Sequence, residues 1–376
     1  MKTKPTLAIT LGDVAGIGPE VTARACADSR VRAVCRPLVV GHPAVLKRAL
    51  VLAGSDLHIV PVASPEGVVH GDGVLSCWAP AGSDAGDVPP GGNDPRAGRA
   101  AYEWLVAAAQ AALDGKVQGI VTAPLSKKAL ALAGLPFPGH TEILAKACGR
   151  GEVAMMLYVP GSDGAGGASD ELRVTSDETG GTSALRTPHS ELRTPLAVAH
   201  VTLHTSLASV PGLLSRERVR GTIELVHRFL VEIGLSRSRI GVCALNPHAG
   251  EEGLFGDEES RLIAPAVEDA RQAEIDAHGP IPADALLRRA VAGEFEGVVA
   301  MYHDQGHIAL KLVAFDRAVN VTLGLPIVRT SPSHGTAFDI AWTGRARGDG
   351  MIAAIRTAAE LAARRVTCPP PSHVPE

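Results

Sequence analysis

The feature that most constrains this chain is a recurring unit: a short β-branched run, a polar glycine-bearing turn, then a stretch of helical periodicity. Thr6 to Leu11 runs into Gly12-Asp13-Val14-Ala15-Gly16-Ile17-Gly18 and a helix from about Pro19 to Ala27, and Arg36 to Val40 ends at Gly41-His42 before another helix. The unit recurs at Gly119 to Thr122, at Arg239 to Leu245 and at Gly297-Val298-Val299, with helices expected over Arg96 to Asp114, Ser215 to Ile233, Glu258 to Ala273, Leu286 to Ala292 and Asp349 to Arg364. Strands alternating with helices predict an α/β fold whose sheet is covered on both faces. In such sheets ligands occupy the crevice beyond the carboxyl ends of the strands, so polar residues gathered there are read first as a site.

The 376 residues, 45% hydrophobic and 20% charged, suffice for two medium domains. A net charge of −4 gives no general attraction to nucleic acid or anionic lipid. No apolar run approaches the 18 to 20 or so residues that span a bilayer, and Met1-Lys2-Thr3-Lys4-Pro5 has no signal-like apolar region, so a cytoplasmic protein is expected. Six scattered cysteines without a C-x-x-C pair indicate neither a zinc knuckle nor a disulfide framework. Residues 160–195, rich in Gly, Ser, Thr and Asp, read as a flexible insertion, and 367–376, with its prolines, as a tail.

Polar groups collect at several strand ends. Ala300 to Lys311 packs His303, Asp304, Gln305, His307 and Lys311 behind an apolar strand, offering a metal ligand or an acid/base pair in His303-Asp304 and a cation for a substrate anion in Lys311. Ser126-Lys127 follows one strand, His204 ends another that carries His200, and His248 sits in Asn246-Pro247-His248-Ala249-Gly250 after a third. Gly139-His140-Thr141-Glu142 and Ser333-His334-Gly335-Thr336-Ala337 read as helix starts able to hold an anion, and Asn320 and Arg329 end two short strands. Should His204, His248 and His303 meet, three imidazoles would leave open positions on a divalent cation, as in a catalytic site. Lys311, Arg329, His140 and Thr141 are of the kind that holds carboxylate and phosphate, which implies a small, doubly anionic ligand. A metal-dependent phosphate-ester hydrolase or a simple binder of phosphorylated acids fits nearly as well, because no dinucleotide fingerprint is present and no cofactor-contacting residue is assigned.

Gly12-Asp13-x-Ala15-Gly16-Ile17-Gly18-Pro19-Glu20, Thr122-Ala123-Pro124, Gly139 to Glu142, Asn246 to Glu251, Tyr302 to Gly306, Asn320 to Pro326 and His334 to Ala337 together resemble the 4-hydroxythreonine-4-phosphate dehydrogenase family of vitamin B6 biosynthesis. The resemblance implies an isocitrate/isopropylmalate-dehydrogenase-like fold of two α/β domains with a cleft, 1–124 plus 322–366 and 125–321. It also implies a homodimer with its site near the interface, NAD or NADP, and a divalent metal such as Zn, Mg, Mn or Co. By motif it puts metal ligands at His204, His248 and His303 and substrate contacts at His140, Thr141, Lys311, Asn320 and Arg329, with Lys311 and Asp304 as catalytic groups. The reaction implied is oxidation, with decarboxylation, of a 4-phosphorylated hydroxy acid. Val14 stands where the family usually has proline. His307 resembles the branch acting on D-threonate or D-erythronate 4-phosphate, and relatives that oxidise aromatic cis-dihydrodiols share it together with a similar His200-to-His204 stretch. Asn320 and Arg329 favour a phosphorylated substrate over a dihydrodiol.

Overall fold

A computed structural model describes residues 4–69, 71–80, 84–150, 153–161, 192 and 194–367. Nearly all of the expected insertion and tail, 160–195 and 367–376, lies outside the described residues. The strands are β1 Thr6–Thr10, β2 Arg36–Val40, β3 His58–Val62, β4 Val74–Trp78, β5 Gly119–Thr122, β6 Ala154–Val159, β7 Leu196–His200, β8 Ile240–Cys243, β9 Ala277–Ile281, β10 Gly297–Ala300, β11 Val319–Leu323 and β12 Arg329–Pro332. They form one 12-stranded sheet in the order β3-β4-β2-β1-β5-β12-β11-β6-β7-β10-β8-β9. The α/β expectation holds.

Two parallel wings flank an antiparallel centre. The first wing pairs β3, β4, β2, β1, β5 and β12 in parallel. The chain reverses at β12–β11, β11–β6 and β6–β7, and β7, β10, β8 and β9 run parallel again. Both wings are sandwiched by helices, so their strands carry continuous apolar runs such as Leu7-Ala8-Ile9 and Leu38-Val39-Val40, all 0% exposed. Each fully buried Leu or Ile there contributes about 1.5–3 kcal/mol by leaving water. The helix Pro95–Leu113 lays Ala97, Ala101, Trp104, Leu105 and Ala108 against the first wing, and Arg216–Glu232 lays Val219, Ile223, Val226 and Leu230 against the second. A separate core, including Leu157, Val198, Val298, Ala300, Leu310 and Ala314, seats the helix His303–Ala314 on the sheet.

Three local expectations are corrected. The strand carrying His200 and His204 ends at His200, leaving His204 in bends beyond it. Ser333 to Ala337 starts no helix; turns follow it through residue 344. Ala277–Ile281 forms an edge strand, the place where a sheet tolerates proline. The acidic helix after His248 opens with a π-helical segment, Glu259–Ile263.

Candidate active site

Arg329 starts β12 and is 2% exposed. Its Nη1 donates to Thr322 Oγ1 and its Nη2 to Thr122 Oγ1, each at 2.8 Å, while Nε, also buried, has no partner. Burial holds its pKa down at about 10, with Glu142 pulling the other way. A buried cation met by two neutral hydroxyls and offset only at a distance by Glu142 leaves unspent donor capacity, an arrangement that stands as a receptor for an anion. Asn320, one strand over, donates Nδ2 to Met155 Sδ at 3.2 Å and keeps a buried Oδ1 unpaired.

The helix His140–Ala147 begins beside this pair, with Gly139 as its N-cap. His140 Nε2 lies 3.2 Å from the Ala123 carbonyl, which only accepts, so this nitrogen carries the proton. Burial and then the Arg329 charge push its pKa well below the usual range and keep it neutral. Thr141, partly buried, follows on the same turn. Ser126 caps the short helix Lys127–Leu132 by accepting from Ala129 N–H at 3.2 Å. Lys127 thereby stands at the mouth, near enough to help depress the His204 pKa after burial, while Glu142 opposes that shift.

From Arg329 the sheet register carries a row of side chains into the second wing. Thr322 pairs with Met155, the Met155 carbonyl meets His200 Nδ1 at 3.4 Å, and His200 pairs with Ala300. Beyond that row sit the histidines. The ring centroids of His204 and His303 are 5.8 Å apart, and His303 stacks on His307 at 3.8 Å and 13°. His303 Nδ1 meets Asp304 Oδ1 at 2.6 Å. Burial above all lowers the pKa of His200 to about 4, and burial together with the His200 and His303 charges lowers that of His307 further still. His204, Tyr302, His303 and Asp304 line a cavity of about 330 Å³. Lys311 lies two turns along the helix from His303, and its charge also bears on His307.

His140, Arg329, Asn320, His204, His303, Asp304 and Lys311 thus converge on one region, but His248 does not join the other two expected ligands. It is exposed, in a loop where His248, Ala249, Gly250, Glu251 and Glu252 all have φ between 45° and 81°, with its ring 6.5 Å from that of Phe255. Four of these five are not glycine, so the loop is strained. Glu259 holds it down: Oε1 accepts from Leu245 N–H at 2.9 Å and Asn246 N–H at 2.7 Å, and Oε2 accepts from Asn246 Nδ2 at 3.0 Å. Among the described residues no group of three His, Cys, Asp or Glu side chains is placed to hold a metal ion. His204 and His303 therefore stand side by side, and among the described residues His248 is not grouped with them. Sequence reasoning gave Glu142 no role, although it stands in a quoted motif; its charge acts on both Arg329 and His204, which only the folded arrangement reveals.

The family described as pyridoxal phosphate biosynthetic protein PdxA matches residues 33–358. The chain belongs to that family. Among its members, a 4-hydroxythreonine-4-phosphate dehydrogenase from Geobacter metallireducens is 45% identical over 360 residues, covering 96% of each chain. A D-threonate 4-phosphate dehydrogenase from Cupriavidus necator is 42% identical over 366 residues, covering 96% of this chain and 98% of its own. The crystal structure of a 4-hydroxythreonine-4-phosphate dehydrogenase from Klebsiella pneumoniae is similar with a TM-score of 0.77 at 37% identity, covering 96% of this chain and 99% of that one. Of the motifs that carried the resemblance in this PdxA-family chain, Gly139 to Glu142, Tyr302 to Gly306 and Asn320 to Pro326 supply residues to the region described above, and Asn246 to Glu251 lies apart from it.

Proposed function

We propose that this chain is a nicotinamide-dependent dehydrogenase that oxidises 4-phosphooxy-threonine or a close 4-phosphorylated hydroxy acid and releases carbon dioxide from the product. The observation that carries this reading is Arg329: a buried guanidinium with an unpaired Nε, joined by Asn320 with an unpaired Oδ1, on a row of residues that ends at His204 and His303. Arg329, Asn320, His140 and Thr141 bind and orient the anionic substrate. Asp304 holds the proton on His303 Nδ1 and so leaves the Nε2 lone pair free to bind a cation. Lys311 takes the proton of the reacting hydroxyl. A divalent cation on His204 and His303, with His248 of a second copy as the missing donor, would lower the pKa of that hydroxyl and steady the enolate left by decarboxylation. NAD or NADP would accept the hydride; His334 Nε2, a buried atom without a partner in the Ser333–Ala337 loop, is an orphaned group that suits a cofactor.

The outer face of the helix His303–Ala314, with the residue after it, supports a homodimer. Ile308, Leu312 and Phe315 are 57%, 76% and 56% exposed, and Leu254 and Phe255 stand out beside His248. Apolar stripes of this kind mark an interaction surface. A second copy is the occupant that would also complete the ligand set.

D-Threonate 4-phosphate is the second reading, favoured by the cations Lys127 and Arg329, which repel a substrate ammonium and not a hydroxyl. The test is to incubate the protein with NAD or NADP, a divalent metal and 4-phosphates of hydroxythreonine, threonate and erythronate, plus a cis-dihydrodiol. Reduced cofactor is expected with a phosphorylated acid. Release of inorganic phosphate without reduced cofactor would replace this reading with the hydrolase.

A further inference from the structure

His200 and His307 have no role in the reaction as proposed, yet they are only 2% and 6% exposed and lie directly under it. Geometry fixes their protons. His200 Nδ1 faces the Met155 carbonyl at 3.4 Å, an acceptor only, so Nδ1 carries hydrogen and Nε2 of the neutral ring is an acceptor. The atom opposite that Nε2, at 3.0 Å, is His307 Nδ1, which must then be the donor. A second proton between the rings would set two N–H groups against each other. The His307 ring in turn lies flat on His303, at 3.8 Å and 13°. Gly306 permits the arrangement: a Cβ there would fall 2.7 Å from His200 Nε2 and 2.7 Å from Val198 Cγ1, so any side chain would lift the helix off His200.

We propose that His200 and His307 are positioning residues, a hydrogen-bonded chain from the Met155 carbonyl through two imidazoles that fixes the ring plane of His303. Asp304 sets which nitrogen of His303 carries the proton, and His307 sets where the ring lies. Backbone, buried ring and stacked ring thus orient one working imidazole, as groups behind a ligand commonly do. The inference rests on His303 being a working group of the site, as proposed above.

The first test needs no substitution. Imidazole ¹⁵N shifts of the wild-type protein, assigned with single-histidine variants, should show Nδ1–H tautomers for both His200 and His307; an Nε2–H tautomer in either overturns the proposal. The second uses His307→Phe, which keeps a ring and loses the donor, and His307→Asn, which keeps a donor and loses the ring. Both should shift the His303 ¹⁵N resonances and lower kcat about tenfold or more, while KM for the phosphorylated acid stays within about threefold because Arg329 and Asn320 are untouched. Unmoved His303 resonances, or wild-type kcat in variants that melt like the wild type, overturn it. Should a variant fail to fold, the wild-type tautomers decide. Should the wild type reduce no cofactor at all, the proposed function fails while the ¹⁵N readout still judges the positioning.

Discussion

At the scale of single residues the site is organised by what is left unpaired. Arg329 satisfies two of its three nitrogens on threonines and keeps Nε free. A buried cation in this state destabilises the fold and waits for an anion, so two opposite effects are expected from Arg329→Met. Thermal stability without ligand should rise, by about 1–3 kcal/mol, because a buried charge offset only at a distance is replaced by an apolar chain of similar volume. Binding of the phosphorylated acid should fall at least about tenfold, the loss expected for charge-assisted hydrogen bonds. Calorimetry of unfolding and of ligand binding reads both, and a variant less stable than the wild type would refute the unpaired-cation account. Arg329, Asn320 and His303 were legible in the sequence because each sits at or just beyond a strand end among apolar neighbours. The His200–His307 contact was not, since the two are 107 positions apart and meet only through the pairing of β7 with β10 and the seating of the helix that follows β10.

Elements explain what residues cannot. The loop Pro247–Gly253 is left-handed through five successive residues and is pinned by Glu259, a buried carboxylate accepting two backbone N–H groups and one side-chain amide. Strain of this kind persists only where surrounding contacts over-determine it, and it presents His248 outward. Replacing Glu259 by Ala should cost about 2–4 kcal/mol, by stranding those donors and releasing the loop. Chemical denaturation measures this; a loss below about 1 kcal/mol would mean the loop holds its shape without Glu259. With His248 exposed and not grouped with His204 and His303 in the same chain, subunits carrying His248→Ala and subunits carrying His303→Ala should each be inactive alone and regain turnover when mixed and reassembled. Absence of recovery in verified mixed dimers would contradict a site shared between copies. The sequence showed a polar turn with a central histidine here. It did not show a left-handed run, because Ala, Glu and His carry no local preference for that region.

For the whole molecule, three enclosed neutral imidazoles and the Asp13 carboxyl pull the response to pH in opposite directions. His140, His200 and His307 have folded pKa values below the ordinary 6.5, so the unfolded chain binds more protons at mildly acid pH. Stability is therefore full above about pH 6.5 and is lost as pH falls toward the folded values; for His200, lowered to about 4, the loss amounts to about 3 kcal/mol. Asp13 acts in the opposite sense. Burial raises its pKa to about 6, so the folded state binds the extra proton between the ordinary value of 3.8 and that point, and stability falls as pH rises through the window. With three imidazoles against one carboxyl, denaturation midpoints should drop from pH 7 to pH 4.5. Asp13→Asn should raise stability at pH 7 more than at pH 4.5, and an equal gain at both would assign its effect to something other than charge. At this scale the α/β alternation and most element positions could be read from periodicity, since apolar runs and alanine-rich faces are local signals. The order of twelve strands and the antiparallel centre could not, because pairing is decided by helices packing across both faces.

The central claim, that Arg329 and Asn320 hold a phosphorylated hydroxy acid while its C3 hydroxyl is oxidised beside His204 and His303, is tested most directly by isotope transfer. The protein would be given NAD or NADP, a divalent metal and 4-phosphothreonine or threonate 4-phosphate carrying deuterium at C3, and the cofactor analysed by mass spectrometry. The account predicts deuterium in the reduced nicotinamide ring, with release of carbon dioxide and phosphate retained on the product. Unlabelled cofactor together with free inorganic phosphate would contradict it.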